Sequence, residues 1–373
     1  MRERLRKVWP LVKLLLGLAI VVVIGRRFYI DLRDHPDLLR HSLRPGWLVL
    51  CGAFYILGLG FSALCWHRVL YGLGQRPPFL TALRAYYIGH MGKYLPGKAW
   101  AVFLRGSLLR GSGTAPMLGT AAAFYEVFIT MSAGALSAVV FFGLLLPPSP
   151  DHLGSGRVRQ QFATVLDEAA KAGNVPVDWQ RLRRDLTLAD EPGAPLDRAL
   201  PLVLAVCLFV PLALPTLPPV FNRMVHHLSL PFRAQDAALP KFVWRGLIEG
   251  LLATGLAWMC LGGSLFAALH CGALPDSPPW SPDTWGLLTA VVGLSYVCGF
   301  AVLIAPSGLG VREFVFMLLL VALLGVTTGE GEASLLLAIL ALRLVWTASE
   351  VVMIALVWKL PGPPVLLRKG APS

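Results

Sequence analysis

Charged residues are scarce in this sequence, and acidic residues are scarcer than basic ones. Of its 373 residues only 14% are charged, whereas 56% are hydrophobic, and the mean hydropathy is +0.65. A soluble protein carries charge on about a quarter of its residues, so most of the surface of this chain cannot face water. The composition therefore excludes a soluble globular protein and predicts an integral membrane protein.

Several motifs of catalysis and metal binding are also missing. The sequence contains neither the phosphate-binding loop GxxxxGK followed by Ser or Thr nor the zinc motif HExxH. Its six cysteines lie in or beside apolar stretches and form no CxxC pair, which supports neither a zinc site nor a disulfide framework. We therefore expect no catalytic residue, no metal and no cofactor, and a protein that is not an enzyme.

What the sequence has instead is a series of long apolar stretches. A helix needs roughly 20 mostly apolar residues to cross the core of a bilayer, and eight stretches are candidates for such spans. They are residues 8–24, 47–64, 114–146, 199–217, 247–269, 284–304, 314–326 and 333–358. We therefore predict an all-α polytopic membrane protein with about eight transmembrane segments.

Basic residues are distributed unevenly between the two sides of these spans. With the N-terminus inside, the inner segments contain 18 basic and two acidic residues, whereas the outer segments contain 12 basic and 15 acidic ones. Because Lys and Arg concentrate in cytoplasmic loops, we expect both termini in the cytoplasm. The net charge of +12 then sets the topology and attracts anionic lipid headgroups, so nucleic acid is not needed as a partner.

A short pattern occurs twice, at an offset of 210 residues. Residues 86–97 read YYIGHMGKYLPG and residues 296–308 read YVCGFAVLIAPSG, so both contain YxxGxxxxxxP. Each copy follows two spans, includes a glycine-rich break and precedes one long span, and the two units have opposite orientations in the predicted topology. We therefore predict two inverted-topology repeats with broken or re-entrant helices, an architecture found in transporters.

These repeats define the predicted organisation of the chain. Its parts are a first membrane repeat at 1–146 (spans 8–24 and 47–64, hairpin 79–113 and span 114–146), an extracytoplasmic insertion at 147–198, a second membrane repeat at 199–358, and a basic cytoplasmic tail at 359–373.

The two breaks are candidate substrate-binding sites. Non-helical backbone at membrane depth is tolerated where it is covered by protein or lines a wet cavity, and the start of a helix offers N–H groups to an anion. The alternatives are loops at the membrane surface and, in the second copy, a local network between Arg312 and Glu313. The candidates are Lys93, Pro96, Gly97 and Lys98 in the first copy and Pro306, Gly308, Gly310, Arg312 and Glu313 in the second.

Three further candidates are charged residues within predicted spans. At 1.5 Å per residue, Glu126 lies about 18 Å from the inner surface and Arg343 about 15 Å from the outer surface. The similar depths predict an ion pair between them, with Glu350 on the same helix face as Arg343. Because charge at membrane depth is costly, we expect these residues to line the translocation pathway. A buried pair that only fixes helix register is the alternative.

Three segments, GKYLPGKAW (92–100), APSGLGVRE (305–313) and RLVWTASE (343–350), together resemble the flippase-like family typified by the transmembrane region of lysylphosphatidylglycerol synthases. The resemblance implies a multi-pass protein of the bacterial inner membrane that moves a lipid, such as an aminoacyl-phosphatidylglycerol, between leaflets. We expect no synthesis of that lipid, because only about 15 residues follow the last span. The insertion at 147–198 does not match the family pattern.

From these features we expect an integral membrane flippase-like protein that translocates an anionic or aminoacylated phospholipid, or a lipid-linked precursor, between leaflets. Membrane phospholipids are its expected partners. The alternative is a non-transporting membrane partner or regulator of a lipid-modifying enzyme or glycosyltransferase. The sequence leaves open whether the protein forms a homo-oligomer.

Overall fold

The computed structural model describes residues 44–94, 100–110, 112–146, 195–229, 242–271, 274, 277–301, 311–326 and 329–359, and no β-strand occurs among them. Ten α-helices follow one another in this part of the chain: α1 (Pro45–Gly72), α2 (Phe79–His90), α3 (Trp100–Leu108), α4 (Pro116–Leu145), α5 (Pro195–Ala213), α6 (Pro218–Ser229), α7 (Trp244–Leu269), α8 (Pro282–Ala301), α9 (Val311–Leu324) and α10 (Gly329–Trp358). The predicted all-α class is confirmed for these residues.

Among the described residues, five helices are long and apolar enough to cross a membrane. They are α1, α4, α7, α8 and the Gly331–Trp358 part of α10. Large apolar side chains point outward on them; Leu144 is 77% exposed and Leu344 is 71% exposed. Such surfaces suit contact with lipid rather than with water, so the helices have the features of a multi-pass membrane protein.

The structure differs from the eight predicted spans in two places. The predicted span 314–326 falls in α9, whose 14 residues extend only about 21 Å. This helix ends before Gly325, which adopts a positive φ of 63° and so provides a helix stop that most residues disfavour. The predicted span 199–217 falls in α5, which forms a candidate sixth span only together with α6, across a bend of 62°.

Other parts of the predicted organisation lie outside the described residues. These are the span 8–24, the tail beyond residue 359, and the insertion up to residue 194, since residues 195–198 already belong to α5.

Prolines account for the bend between α5 and α6. Pro215 lies in a short 3-10 turn, Leu214–Thr216, and Pro218 begins α6; proline cannot donate the backbone hydrogen bond that would continue a helix. The side-chain amide of Asn222 then fixes α6 to the start of α7. It donates to the carbonyl oxygen of Phe242 at 2.9 Å and accepts from the Phe242 N–H at 2.8 Å.

The centre of the fold is the long contact between α1 and α7, and α4 and α10 each pack against both of these helices. Helix α4 also crosses α8 with almost no space between their backbones. A Cβ added to Gly293 would lie 2.6 Å from the carbonyl oxygen of Gly134, so only glycine allows this approach.

Two pairs of helices lie on this framework. Helix α2 continues into the 3-10 turn Met91–Tyr94 and packs against α3, which in turn packs on α4. Helix α8 ends at Ala301 and packs against α9, which begins at Val311 and packs on α10. Helix α10 also contacts α2, so it touches both pairs.

Candidate functional site

Two charged residues form a buried ion pair between α3 and α4. Nη1 of Arg105 lies 2.7 Å from Oε2 of Glu126, and their side chains are only 5% and 3% exposed. The hydroxyls of Tyr86 and Thr130 donate hydrogen bonds to the other carboxylate oxygen, at 3.3 and 3.1 Å. A buried charge without partners is strongly destabilising, and the three donors together satisfy both oxygens of the buried Glu126 carboxylate.

Tyr86 and Gly89 on α2 position Arg105. The guanidinium carbon lies 4.0 Å from the centroid of the Tyr86 ring, which is a favourable cation–π geometry. A Cβ added to Gly89 would lie 2.5 Å from Cγ of Arg105 and 3.1 Å from its backbone nitrogen. Both residues belong to the repeated sequence pattern. In the first copy, the contacts with Arg105 explain why a tyrosine and a glycine occupy these positions.

A second group of side chains meets at Glu350 on α10. The carboxylate accepts hydrogen bonds from the ammonium of Lys93 and from the hydroxyl of Tyr55. Tyr55 comes from α1 and stacks on Trp346, with ring centroids 4.8 Å apart and planes inclined by 14°. One buried carboxylate thus joins α1, α10 and the turn that follows α2.

His90, the last residue of α2, connects these two groups. Its Nε2 lies 3.1 Å from Nζ of Lys93 and 3.6 Å from Oε1 of Glu350, and its Nδ1 lies 3.4 Å from Nη2 of Arg105. The polar network, as it is called below, consists of Tyr55, Tyr86, His90, Lys93, Arg105, Glu126, Thr130 and Glu350.

A third group of charges lies at the start of α9, after the second break. Nε of Arg343 lies 2.9 Å from Oε1 of Glu313, and the guanidinium carbon of Arg312 lies 4.1 Å from the centroid of the Tyr296 ring. Arg312 and Arg343 both interact electrostatically with the Lys93 ammonium. The charged groups of the two breaks are therefore neighbours in space.

The same three residue types come together at both breaks: a tryptophan of a central helix, a tyrosine before the break and an arginine after it. The two sets are Trp66, Tyr86 and Arg105, and Trp258, Tyr296 and Arg312. In these sets the tryptophan and tyrosine centroids lie 6.1 and 5.7 Å apart, and the arginines lie 4.0 and 4.1 Å from the tyrosine centroids. Of these three residue types, the repeated sequence pattern contains only the tyrosine. The tryptophans and arginines are therefore a further similarity between the two breaks, which is seen in the structure and not in the pattern.

Half of the predicted site residues lie in the described part of the chain, and each of these takes part in one of the three groups: Lys93, Glu126, Arg312, Glu313, Arg343 and Glu350. The other six predicted residues lie outside the described residues: Pro96, Gly97, Lys98, Pro306, Gly308 and Gly310.

The predicted ion pair between Glu126 and Arg343 is wrong. Glu126 binds Arg105, and Arg343 binds Glu313. Depth along a helix does not specify the direction in which a side chain points, and in both cases a short helix provides an opposite charge from close by.

Sequence reasoning missed five residues of the polar network as site residues: Tyr55, Tyr86, His90, Arg105 and Thr130. In the sequence, Arg105 is one of the basic residues of the inner hairpin, but the structure buries it. His90 is distinguished there only by its position beside the break, and Tyr86 only by its place in the repeat. Tyr55 has no distinguishing signal, since aromatic residues are common in apolar helices.

The charged side chains of the site are suited to binding ions. The site presents ammonium and guanidinium groups, which are strong donors to phosphate or carboxylate oxygens, together with buried carboxylates. Within the described ranges no group of three His, Cys, Asp or Glu side chains could hold a metal ion.

Comparison of the chain with protein-family models gives no match, and comparison with curated protein sequences gives none either.

Proposed function

We propose that this protein is a flippase-like lipid translocase. The headgroup of an anionic or aminoacylated phospholipid, or of a lipid-linked precursor, passes through the polar network while the acyl chains remain in the bilayer. The observation that carries the proposal is the gathering of charged groups from both breaks inside a layer of apolar helices. Ionisable residues at membrane depth are costly, and they mark substrate and ion pathways.

The position of the two carboxylates along their helices supports this function. Glu126 lies ten residues after the first residue of α4, which is about 15 Å along the axis, and Glu350 lies eight residues before the end of α10, which is about 12 Å. In the proposed orientation both of these helix ends lie at the cytoplasmic surface. The network is then well inside the hydrocarbon layer, at a depth that a translocated headgroup has to cross.

We also propose that the two halves of the chain are inverted repeats. Helices α2 and α3 are followed by the 30-residue helix α4, and helices α8 and α9 are followed by the 30-residue helix α10. The matched Trp, Tyr and Arg sets support the same correspondence between halves. Inverted repeats allow a transporter to open a central site to one side of the membrane and then to the other.

An anionic headgroup suits the charge of the site. The charged side chains of the three groups are four cations and three carboxylates: Lys93, Arg105, Arg312, Arg343, Glu126, Glu313 and Glu350. With His90 neutral, they leave an excess of one positive charge, which a phosphodiester would neutralise. The resemblance to the transmembrane region of lysylphosphatidylglycerol synthases supports a headgroup that contains such a phosphodiester.

The proposed location is the bacterial inner membrane, with both termini in the cytoplasm. The excess of Lys and Arg in the inner segments supports this orientation. It places α6, with the exposed side chains of Arg223 and His227, at the inner surface, where anionic lipids attract basic residues.

Lipid exchange in liposomes tests the proposed function. The purified protein is reconstituted with a trace of fluorescent phosphatidylglycerol or of fluorescent phosphatidylcholine, and an impermeant reductant is added to quench the outer leaflet. In empty liposomes the reductant quenches only the half of the probe that lies in the outer leaflet. With the protein present, we expect the inner-leaflet half of the anionic probe to be quenched as well, because it is exchanged to the outer leaflet. We expect less effect on the zwitterionic probe.

Two lysine variants connect this activity to the site. Lys93→Ala removes the ammonium that binds Glu350, and we expect it to slow exchange strongly. Lys359→Ala removes an exposed lysine that follows α10, and we expect it to leave exchange unchanged. Exchange no faster than in empty liposomes, from protein that remains folded, would overturn the proposal and favour a non-transporting membrane partner.

A further inference from the structure

The imidazole of His90 lies between two cationic side chains of the polar network. Nε2 faces Nζ of Lys93 at 3.1 Å, and Nδ1 faces Nη2 of Arg105 at 3.4 Å. The carboxylate of Glu350 lies 3.6 Å from Nε2. The ring also stacks on Tyr86, with planes 20° apart, so its orientation is fixed by contacts on several sides.

The number of protons on His90 decides which of these contacts are favourable. A neutral imidazole has one N–H donor and one acceptor nitrogen, whereas the guanidinium of Arg105 can only donate. The ammonium of Lys93 also only donates, so the one acceptor nitrogen of a neutral ring can accept from only one of the two cations. When Nδ1 accepts from Arg105, the hydrogen on Nε2 lies between Lys93 at 3.1 Å and Glu350 at 3.6 Å. A second proton would be on Nδ1 and would face the guanidinium, so the ring stays neutral while these groups hold their positions.

Charged and titratable groups surround His90 in two shells. The ring itself contacts Tyr86 of α2, Lys93 of the following turn, Arg105 of α3 and Glu350 of α10. These partners in turn interact with Tyr55 of α1, Glu126 of α4, Arg312 of α9 and Arg343 of α10. The four cations oppose a positive charge on the ring, and the two carboxylates favour it. A bound anion adds to the second set.

An anionic headgroup changes the balance at His90 directly. A phosphate oxygen that binds Lys93 or Arg105 competes with the contacts these cations make to Glu350 and to the ring. Glu350 then has a weaker cation partner, and Nδ1 no longer faces a donor. Nδ1 can now bind a proton taken up from the aqueous phase. The resulting imidazolium donates to Glu350 through Nε2 and to the phosphate through Nδ1.

We propose that His90 is a proton-binding site coupled to the lipid headgroup: its ring takes up one proton when an anionic lipid binds and releases that proton when the lipid leaves. This inference rests on the proposed lipid translocation. Lipid and proton then cross the membrane in the same direction. For a lipid with one negative charge, the two together carry no net charge.

A pH difference across the liposome membrane tests this coupling. If one proton crosses with each lipid, a difference of about one pH unit makes the anionic probe about tenfold more concentrated in the leaflet that faces the alkaline side. A potassium diffusion potential without a pH difference leaves the probe evenly distributed. In His90→Gln the pH-driven asymmetry is lost, whereas His227→Gln, which changes an exposed histidine of α6, keeps it.

The outcomes separate this inference from the proposed function. Two results would overturn proton coupling at His90 and leave translocation standing. In the first, the protein speeds exchange but the distribution of the probe does not depend on the pH difference. In the second, the distribution depends on the pH difference to the same extent in His90→Gln as in the native protein. If the protein exchanges no lipid, nitrogen NMR of labelled histidine in detergent decides, with the His90 signal identified by its loss in His90→Gln. We expect phosphatidylglycerol to shift that signal from the neutral to the protonated form, and an unchanged signal overturns the inference.

Discussion

Arg105 and Glu126 form an ion pair with an Nη1 to Oε2 distance of 2.7 Å, and the pair ties the short helix α3 to the long helix α4. Both charges are buried, so each has lost most of its hydration. Such a pair is stable only when the remaining hydrogen-bonding groups are also satisfied, and Tyr86 and Thr130 provide the additional donors. Removing one member of the pair therefore has a different consequence from removing both.

Glu126→Gln is expected to destabilise the protein, because it leaves the guanidinium of Arg105 buried without a counter-charge. The expected loss is about 3 kcal/mol, at the low end for breaking a buried pair. Denaturant unfolding in detergent measures it. Arg105→Met combined with Glu126→Leu is expected to recover most of the stability but no lipid exchange.

The matched control for Glu126→Gln is Glu249→Gln on α7. Glu249 is a third exposed and pairs with Arg245, whose side chain is 87% exposed. Exposed pairs contribute little, so we expect a change below about 0.5 kcal/mol. Equal losses from the two glutamates would contradict the structural role of the buried pair.

Gly89→Ala is expected to displace Arg105 from Glu126, because the added methyl group would overlap Cγ of Arg105. Overpacking of this kind costs about 1 to 3 kcal/mol. Gly255→Ala on α7 is the control; a Cβ there meets nothing within 4 Å, and alanine favours a helix over glycine by about 1 kcal/mol. The midpoint of thermal unfolding should therefore fall for Gly89→Ala and not for Gly255→Ala. A higher midpoint for Gly89→Ala would rule out the close contact with Arg105.

Tyr55→Phe removes the hydroxyl that donates to Glu350 and keeps the ring that stacks on Trp346. Leaving a buried carboxylate with one donor fewer costs about 1 to 3 kcal/mol. We expect slower lipid exchange together with a lower unfolding midpoint. Tyr71→Phe, at an exposed tyrosine of α1, should change neither quantity; a normal Tyr55→Phe protein would show that the hydroxyl is dispensable.

Exchanging the charges of Glu313 and Arg343 tests the pair at the second break. Arg343→Glu alone places two carboxylates at a contact that is 2.9 Å long in the native protein, and Glu313→Arg alone places two guanidiniums there. Each single variant should lose stability, and the double variant should recover part of it, since the opposite charges face each other again. A double variant as unstable as the sum of the singles would show that the residues do not interact.

Cysteine labelling from one side of the membrane tests the proposed orientation. Trp280, between α7 and α8, and Met224, on α6, are exposed positions that should lie on opposite sides. With the exposed Cys207 replaced by Ser, an impermeant maleimide should label Trp280→Cys in intact cells and Met224→Cys only in inside-out vesicles. The reverse pattern would invert the topology, and labelling of both positions from one side would contradict a crossing by α7.

Hydropathy was sufficient to predict the long apolar helices and to single out the charges within them as groups that need partners. The enrichment of apolar residues in α1, α4 and α7 reflects a requirement of the bilayer that any sequence has to meet. Glu126 and Glu350 could be selected for the same reason, because an ionised group in an apolar helix needs a partner.

The partners themselves could not be predicted, because they depend on how the helices are rotated and packed. Arg105 looks like any basic residue of a cytoplasmic hairpin, and only the approach of α3 to α4 shows that it is buried. The span at 314–326, which lies largely in α9, was predicted from apolar composition alone. The apolar side chains of α9 suit a span, but a glycine with positive φ ends the helix after 14 residues.

The backbone contact between Gly134 and Gly293 limits how the protein can move. No side chain lies between α4 and α8 at this point to act as a spacer or to slide, so the two helices can pivot about the contact more readily than they can separate from it. The proposed translocation requires a rearrangement that exposes the polar network to alternate sides of the membrane. The two helices would then rotate about this crossing. The largest displacements would then occur at the ends of the helices, and the smallest where the two glycines touch.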